Sequence, residues 1–231
     1  MSLLLQLLPF ALAILGPQQN AAVVPAPRTD EGILQRQAEV LRRAKTNAKA
    51  AVVFVGDSIT QGWEDGGQQV WEKQFAPLGA LNLGVSGDRT EHVLWRLKEA
   101  PLTRLEPRAV VLLIGTNNLG HGTSNAEQTL AGVQAVIALL HEQVPQATLL
   151  VHEIFPRGER FNAMRGDIGQ VNQVLRAQAA PGVRVLGLCD RWVRADGTIA
   201  KEIMPDFLHL SPEGYEQWAA ALAPEIAQAL K

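Results

Sequence analysis

Three residue types that together can activate a serine occur near the two ends of the chain. Ser58 follows an apolar run in VVFVGDSITQGW, and Asp206 and His209 stand three residues apart in PDFLHLSPEGY. A serine hydroxyl is a weak nucleophile until a neighbouring base takes its proton, and that base needs a third group to orient it. The pattern predicts nucleophilic catalysis by Ser58, with His209 as the base and Asp206 as the acid that orients it.

Each of these residues also has a purely structural interpretation. Ser58 could cap the turn after a strand, because Gly-Asp-Ser is favourable turn chemistry. His209 could be a buried core histidine. Asp57 is expected to hold the turn through an Asx-type hydrogen bond. The carboxylate of Asp206, close enough to share a turn with His209, favours the catalytic interpretation.

Two further segments supply hydrogen-bond donors suited to an oxyanion. Gly87 follows an apolar run in NLGVSGDRTEHVLWRL, and Asn117 follows another in VVLLIGTNN. Ester hydrolysis needs donors directed at the oxyanion of the tetrahedral intermediate. We therefore predict an oxyanion hole formed by the backbone N–H groups of Ser58 and Gly87 and the side-chain amide of Asn117. Gly87 could also supply a positive φ, and the two roles are compatible.

Alternating strands and helices are expected to position these residues. Apolar runs typical of parallel strands covered on both faces lie at residues 51–55, 80–83, 109–114, 148–154 and 183–188. Helical patterns lie at residues 31–46, around 70–75, at 91–98, 126–143 and 165–179, and in a last helix that opens at Ser211. This alternation predicts an α/β protein, a three-layer α/β/α sandwich with a flavodoxin-like parallel five-stranded sheet. Ligands bind beyond the carboxyl ends of such strands, where Ser58, Gly87 and Asn117 all fall.

Five segments carry a resemblance to a known family. GDRTEHVLWRL, IGTNN, FPRGE, VNQVL and DFLHLSPEGY occur in this order. They resemble the SGNH, or GDSL-type, hydrolases, and within that family the catalytic subunits of platelet-activating-factor acetylhydrolase Ib and their bacterial relatives. The resemblance covers the chain from about Ala51 onward. It implies that Ser58, Gly87, Asn117 and His209 are the four signature residues, and it selects Asn117 rather than the neighbouring Asn118.

The resemblance implies a serine esterase that hydrolyses short-chain acyl esters, above all acetyl esters, and that needs no cofactor. The first alternative is a carbohydrate O-acetylesterase, because an exported enzyme of this kind would meet sugar esters. Further alternatives are a lysophospholipase or lipase, and a non-catalytic binding subunit with the same fold. The presence of all five functional positions argues against the non-catalytic alternative.

Composition limits the other classes of function. The chain has 231 residues, enough for one α/β domain, and a formal net charge of −2. This near-neutral balance offers no electrostatic basis for binding nucleic acid. No group of His, Cys and carboxylates has metal-ligand spacing, so we expect no metal site. The expected partner is a small-molecule or carbohydrate ester, and a homodimer is compatible with the sequence.

The N-terminus predicts export. Residues 1–29 are interpreted as a signal-like apolar segment followed by a linker, and residues 30–231 as the hydrolase domain. MSLLLQLLPFALAILG is too short for a stable membrane span and has the length of a signal-peptide hydrophobic region. It has no Lys or Arg before Leu3, and the alternative is an apolar helix packed on a cytoplasmic enzyme. We expect a secreted or periplasmic protein.

Overall fold

Strands and helices alternate along the chain. A computed structural model describes residues 19–178 and 180–231; residues 1–18, which carry the signal-like segment, lie outside this part. The strands are β1 Val52–Gly56, β2 Ala80–Asn82, β3 Ala109–Leu113, β4 Thr148–His152 and β5 Val183–Leu186. The helices are α1 Glu31–Thr46, α2 Ser58–Gln61, α3 Gln68–Gln74, α4 Thr90–Glu99, α5 Thr116–Gly120, α6 Ala126–Gln143, α7 Ala163–Ala177 and α8 Pro212–Ala229.

The five strands form one parallel sheet in the order β2-β1-β3-β4-β5. The predicted α/β fold with a five-stranded parallel sheet is confirmed. Every residue of β1 and β3 is buried, because both strands are central and both of their faces are covered. This order is one of the two common orders of doubly wound sheets, which bind ligands at the carboxyl ends of their strands.

Helices cover the sheet on both faces, as expected for three layers. Successive residues of a strand point to opposite faces. Accordingly, Val53 and Val55 pack with α1, α4, α6 and α7 in one apolar cluster, while Val52 and Phe54 pack with α3 and α8 in a second cluster. Burial of these alternating apolar residues fixes the position of β1. It therefore also fixes the position of Ser58, which lies two residues after the end of the strand.

Helix bounds agree with the sequence where the helices are long. The predicted ranges 31–46 and 126–143 coincide with α1 and α6. The range predicted for α7 extends to residue 179, which lies outside the described residues, and α7 ends at Ala177. Ser211 caps α8, as predicted, by accepting a hydrogen bond from Gly214 N at 3.2 Å. No helix of the described ranges has the length and apolarity to cross a membrane.

Two short helices, α2 and α5, were not predicted. Each begins two or three residues after the last residue of a central strand, and each is too short to show a helical period in the sequence. They carry Ser58 and Asn117, so the regular elements position the site indirectly, through single turns at the ends of β1 and β3.

Residues 19–29, here called the N-terminal segment, lie against helices α4 and α6. The sequence predicts a linker over this stretch. In the structure Ala22 is fully buried, and its carbonyl accepts a hydrogen bond from Thr90 Oγ1 at 2.8 Å. Ala26 N donates to Glu91 O at 3.1 Å. The N-terminal segment is thus joined to the helix that follows the Gly87 region.

Candidate active site

Ser58, His209 and Asp206 form a continuous chain of hydrogen bonds. His209 Nε2 lies 2.9 Å from Ser58 Oγ, and His209 Nδ1 lies 2.6 Å from Asp206 Oδ2. With a proton on Nδ1, the imidazole donates to the carboxylate and accepts from the serine hydroxyl. The three residues predicted to act together are therefore in contact, in the geometry that activation of a serine requires.

The turn that holds His209 depends on Asp206. Its Oδ1 accepts hydrogen bonds from Leu208 N at 3.0 Å and His209 N at 2.7 Å, while its Oδ2 faces the imidazole. Phe207, the residue after Asp206, has a φ of 59°, in the left-handed region that bulky residues rarely adopt. One carboxylate therefore fixes both the backbone that carries His209 and the orientation of its ring.

Asp206 stays ionised because its hydrogen bonds outweigh its burial. Partial burial disfavours the carboxylate, but the hydrogen bonds from the ring and backbone of His209 hold the pKa of Asp206 below its usual value. A carboxylate in this state is suited to stabilise an imidazolium on the neighbouring ring.

Asp57 supports the turn into α2. Its Oδ1 accepts a hydrogen bond from Ile59 N at 3.0 Å, as predicted, and the residue is fully buried. Burial raises the pKa of Asp57 to about 7. Ser58 is the first residue of α2, so its N–H has no acceptor within the helix and is available to an oxyanion.

The turn from residue 85 to residue 88, here called the Gly87 turn, lies beside α2. Asp88 N donates to Val85 O at 3.2 Å, and Gly87 has a φ of +73°. The Gly87 N–H makes no hydrogen bond within residues 19–178 and 180–231. Gln61 Oε1 accepts from Ser86 N at 2.8 Å, which joins the turn to the helix that begins with the serine.

Two asparagines after β3 hold the same region from the other side. Asn117 Nδ2 donates to Asp88 O at 2.9 Å, which uses one of its two amide N–H groups and leaves the other. Asn118 Oδ1 accepts from Thr90 N at 3.0 Å, at the start of α4. The structure thus brings Asn117 next to the Gly87 turn, while Asn118 supports the helix behind it.

A buried carboxylate and two arginines support the Gly87 turn. Asp88 is fully buried, and it forms ion pairs with Arg96 and, at 3.4 Å, with Arg28. Burial raises the pKa of Asp88 to about 6, against the effect of these two cations. The sequence did not single out Arg28, Arg96 or Gln61. Only Gln61 had a usable signal, a polar residue one helical turn after the serine.

A cleft of about 400 Å³ opens over Ser58 and His209. Most of its lining is small or polar. The other lining residues are Gln61, Gly62, Asp65, Gly66, Ser86, Leu210 and Tyr215. The part of the chain that the structure describes, the cleft included, holds no group of three or more His, Cys, Asp and Glu arranged to bind a metal ion. The cleft is suited to an ester placed against the serine.

The fold, with this cleft at the carboxyl ends of its strands, is that of the SGNH hydrolases. Residues 54–217 match the GDSL-like Lipase/Acylhydrolase family, and the chain belongs to that family. The resemblance seen in the sequence is therefore confirmed. Membership makes the protein a hydrolase that acts on esters.

Particular relatives agree with this assignment. Human platelet-activating factor acetylhydrolase IB subunit alpha1 is 39% identical over 210 residues, which cover 89% of each chain. A GDSL-like lipase from Bacteroides thetaiotaomicron superposes with a TM-score of 0.69 at 23% identity, over 84% of this chain and 99% of that one. A mutant acetyl-xylooligosaccharide esterase from Geobacillus Stearmophilus superposes with a TM-score of 0.59 at 18% identity, over 77% of this chain and 95% of that one. The two solved structures show likeness of fold.

Proposed function

We propose that the protein is a serine esterase that hydrolyses short-chain acyl esters, above all acetyl esters. The observation that carries the proposal is the chain of hydrogen bonds from Asp206 through His209 to Ser58, which ends in an open cleft. The name of the human relative, an acetylhydrolase subunit, supports the acetyl group as the acyl part.

In the proposed acylation step, His209 Nε2 takes the proton of Ser58 Oγ as that oxygen attacks the ester carbonyl. The negative charge on the carbonyl oxygen is stabilised by hydrogen bonds from Ser58 N, Gly87 N and the second amide N–H of Asn117. The imidazolium then gives its proton to the departing alkoxide, and an acyl-serine ester remains. Asp206 stays ionised throughout.

In the deacylation step, water takes the place of the alcohol. His209 Nε2 accepts a proton from the water as its oxygen attacks the acyl-serine carbonyl, and the same donors hold the second oxyanion. Collapse of this intermediate returns the proton to Ser58 Oγ and releases the carboxylic acid. No cofactor takes part in this sequence.

The proposal is tested by Ser58→Ala with p-nitrophenyl acetate as substrate. We expect the variant to fold and to lose several orders of magnitude in kcat, because the nucleophile is absent. Ser124→Ala is the matched control, since Ser124 follows α5 and does not line the cleft. Hydrolysis by Ser58→Ala at close to the parent rate would show that Ser58 is not the nucleophile. A wild-type protein with no esterase activity would favour a binding subunit.

The polar lining of the cleft favours carbohydrate O-acetylesterase as the second candidate function. Asp65, the Nε2 group of Gln61 and the Ser86 hydroxyl offer one carboxylate acceptor, one amide donor and one hydroxyl beside the serine. Such groups bind the hydroxyls of a sugar. A panel of acetylated sugars measured against p-nitrophenyl acetate tests it. We expect a higher kcat/KM for at least one sugar acetate, and Asp65→Asn lowers kcat/KM only for that substrate.

A further inference from the structure

The central peptide of the Gly87 turn is held in one of two available orientations. Gly87 has a positive φ and the turn is closed by the Asp88 N to Val85 O bond, whereas Ser86 is not in the positive-φ region. These values define a type II turn. In a type I turn the peptide between Ser86 and Gly87 would be rotated by roughly half a turn. A glycine in this position permits both forms.

The orientation of this peptide decides where the Gly87 N–H points. Because a peptide is planar and trans, the Ser86 carbonyl and the Gly87 N–H point in opposite directions. A group that holds the carbonyl on one side therefore directs the N–H to the other side. A rotation to the type I form would exchange the two directions, and the proposed oxyanion donor would be lost.

Arg28 is the group that holds this carbonyl. Its Nη1 donates to Ser86 O at 2.8 Å and lies 3.4 Å from Asp88 Oδ1. A Cβ placed on Gly87 would lie 3.1 Å from Nη1 and 3.2 Å from Nη2 of Arg28, so the guanidinium covers this glycine. The side chain of Arg28 is 11% exposed. One guanidinium thus bonds Ser86 and Asp88, the residues on either side of Gly87, and covers the glycine between them.

We propose that Arg28 is a positioning residue for the oxyanion hole, which keeps the Gly87 turn in its type II form. This inference rests on the proposed function, because it takes the Gly87 N–H as an oxyanion donor. Arg28 precedes residues 54–217, which match the family, so the family match assigns it no role. Arg28 belongs to the N-terminal segment.

The backbone that carries Arg28 is itself fixed. Asn20 Nδ2 donates to Gln128 O at 3.2 Å on α6, and the bonds of Ala22 and Ala26 tie the segment to α4. Because this backbone is fixed, only the side-chain freedom of Arg28 has to be lost for its guanidinium to hold the peptide. The N-terminal segment is therefore a support for the active site.

Arg36 provides a matched control. Its side chain is also 11% exposed, its Nε donates to Gly84 O at 3.0 Å, and its Nη1 pairs with Glu64 at 2.8 Å. It therefore bonds a backbone carbonyl and a carboxylate, as Arg28 does, but not at the central peptide of the Gly87 turn. Loss of Arg36 removes comparable interactions without freeing that peptide.

The test measures kcat, KM, Tm and the amide NMR signal of Gly87 in Arg28→Ala, Arg28→Gln and Arg36→Ala. We expect Arg28→Ala to lower kcat for p-nitrophenyl acetate about tenfold. This loss follows if about nine-tenths of the molecules adopt the type I turn, because only the remaining tenth keeps the Gly87 N–H directed at the oxyanion. KM stays within about twofold, and the Gly87 signal shows microsecond-to-millisecond exchange. Arg28→Gln, which keeps one donor, gives an intermediate kcat, and Arg36→Ala keeps the wild-type kcat.

Three results would overturn the proposal. The first is a wild-type kcat and a wild-type Gly87 signal in Arg28→Ala or, should that variant not fold, in Arg28→Gln. The second is an equal loss of kcat in Arg36→Ala, which would indicate general destabilisation. The third is a loss confined to KM. If the wild-type protein hydrolyses no ester, the proposed function fails, and the Gly87 signal alone still decides whether Arg28 holds the turn.

Discussion

Two carboxylates close to Ser58 have opposite environments, and the difference supports the roles proposed for them. Asp57 is fully buried, which raises its pKa to about 7, whereas hydrogen bonds hold the pKa of Asp206 below its usual value. Only an acid that stays ionised can stabilise an imidazolium. Asp206 meets this condition beside His209, and Asp57 instead bonds the backbone at the start of α2.

Asn117→Ala tests the proposed oxyanion hole. We expect kcat to fall by about two to three decades with a much smaller change in KM, because an oxyanion donor acts mainly on the transition state. Steady-state kinetics with p-nitrophenyl acetate measure both constants. Asn47→Ala, at the exposed end of α1, is the control and keeps the parent values. An effect confined to KM would instead make Asn117 a substrate-binding residue.

Asp57→Asn tests the consequence of burying a carboxyl group. The pKa of Asp57 rises from 3.8 to about 7 on folding. Between these pH values the folded state binds a proton that the unfolded state has released, so the stability from this proton is complete below about pH 4 and is lost as the pH rises through 7. An asparagine keeps the oxygen that accepts from Ile59 N but has no titrating proton. The wild-type protein should therefore lose stability relative to Asp57→Asn between pH 5 and pH 8.

Urea unfolding at pH 5 and pH 8 measures this difference. We expect the free energy of unfolding of the wild type to fall by about 1–3 kcal/mol more than that of Asp57→Asn, at about 1.4 kcal/mol for each pKa unit in the window. Identical pH dependence in the two proteins would show that Asp57 does not titrate between these values.

At the scale of elements, helix α8 holds α2, the helix that carries Ser58. Tyr215 on α8 donates from its hydroxyl to Ile59 O at 2.7 Å. A Cβ on Gly62 would lie 2.1 Å from the same hydroxyl, so α2 and α8 approach closely only because this residue is a glycine. Since His209 lies just before α8, one helix sets the distance between His209 and Ser58.

Tyr215→Phe tests this contact. The variant leaves the buried Ile59 carbonyl without its donor, which should lower the free energy of unfolding by about 1–2 kcal/mol. Urea unfolding measures the loss, and kcat should change by less than about tenfold because the hydroxyl bonds Ile59 O and neither Ser58 nor His209. A stability equal to the wild type would show that another group bonds Ile59 O.

The elements themselves could be predicted to different degrees. Helices α1 and α6 have enough turns to show their apolar period, so their bounds could be read from the sequence. Helices α2 and α5 have no such period, and their helical turn depends on the strands before them. The spacing of Gln61 from Ser58 was a usable signal, but the contacts of Gln61 and Arg28 with Ser86 could not be read, because each joins positions far apart in the chain through a long side chain. Ser58, Asp206 and His209 could be found because their chemistry is unusual as a set.

On the scale of the whole molecule, the described N-terminal segment belongs to the structure that supports the site. Its contacts with α4 and α6 begin at Asn20, directly after the undescribed residues. Export by the signal-like residues stays a prediction. If the chain is exported and cleaved near Ala21, Arg28 and the bond from Ala26 N to Glu91 O remain on the mature protein, whereas the bond from Asn20 to Gln128 is removed.

The cleft as a whole sets the expected acyl preference. We expect kcat/KM in a series of p-nitrophenyl esters from C2 to C12 to be highest for the shortest chains. The cleft holds about 400 Å³, and groups such as Gln61, Asp65 and Ser86 line it. Burial of one methylene contributes roughly 0.8 kcal/mol to binding. The methylenes of a longer acyl chain that stay in water outside the cleft do not make this contribution, so a longer chain does not bind more tightly. Ser58→Ala provides the blank at each length, with every ester kept below its micelle concentration. A maximum at C8 or beyond would require an apolar acyl channel and would remove the short-acyl assignment.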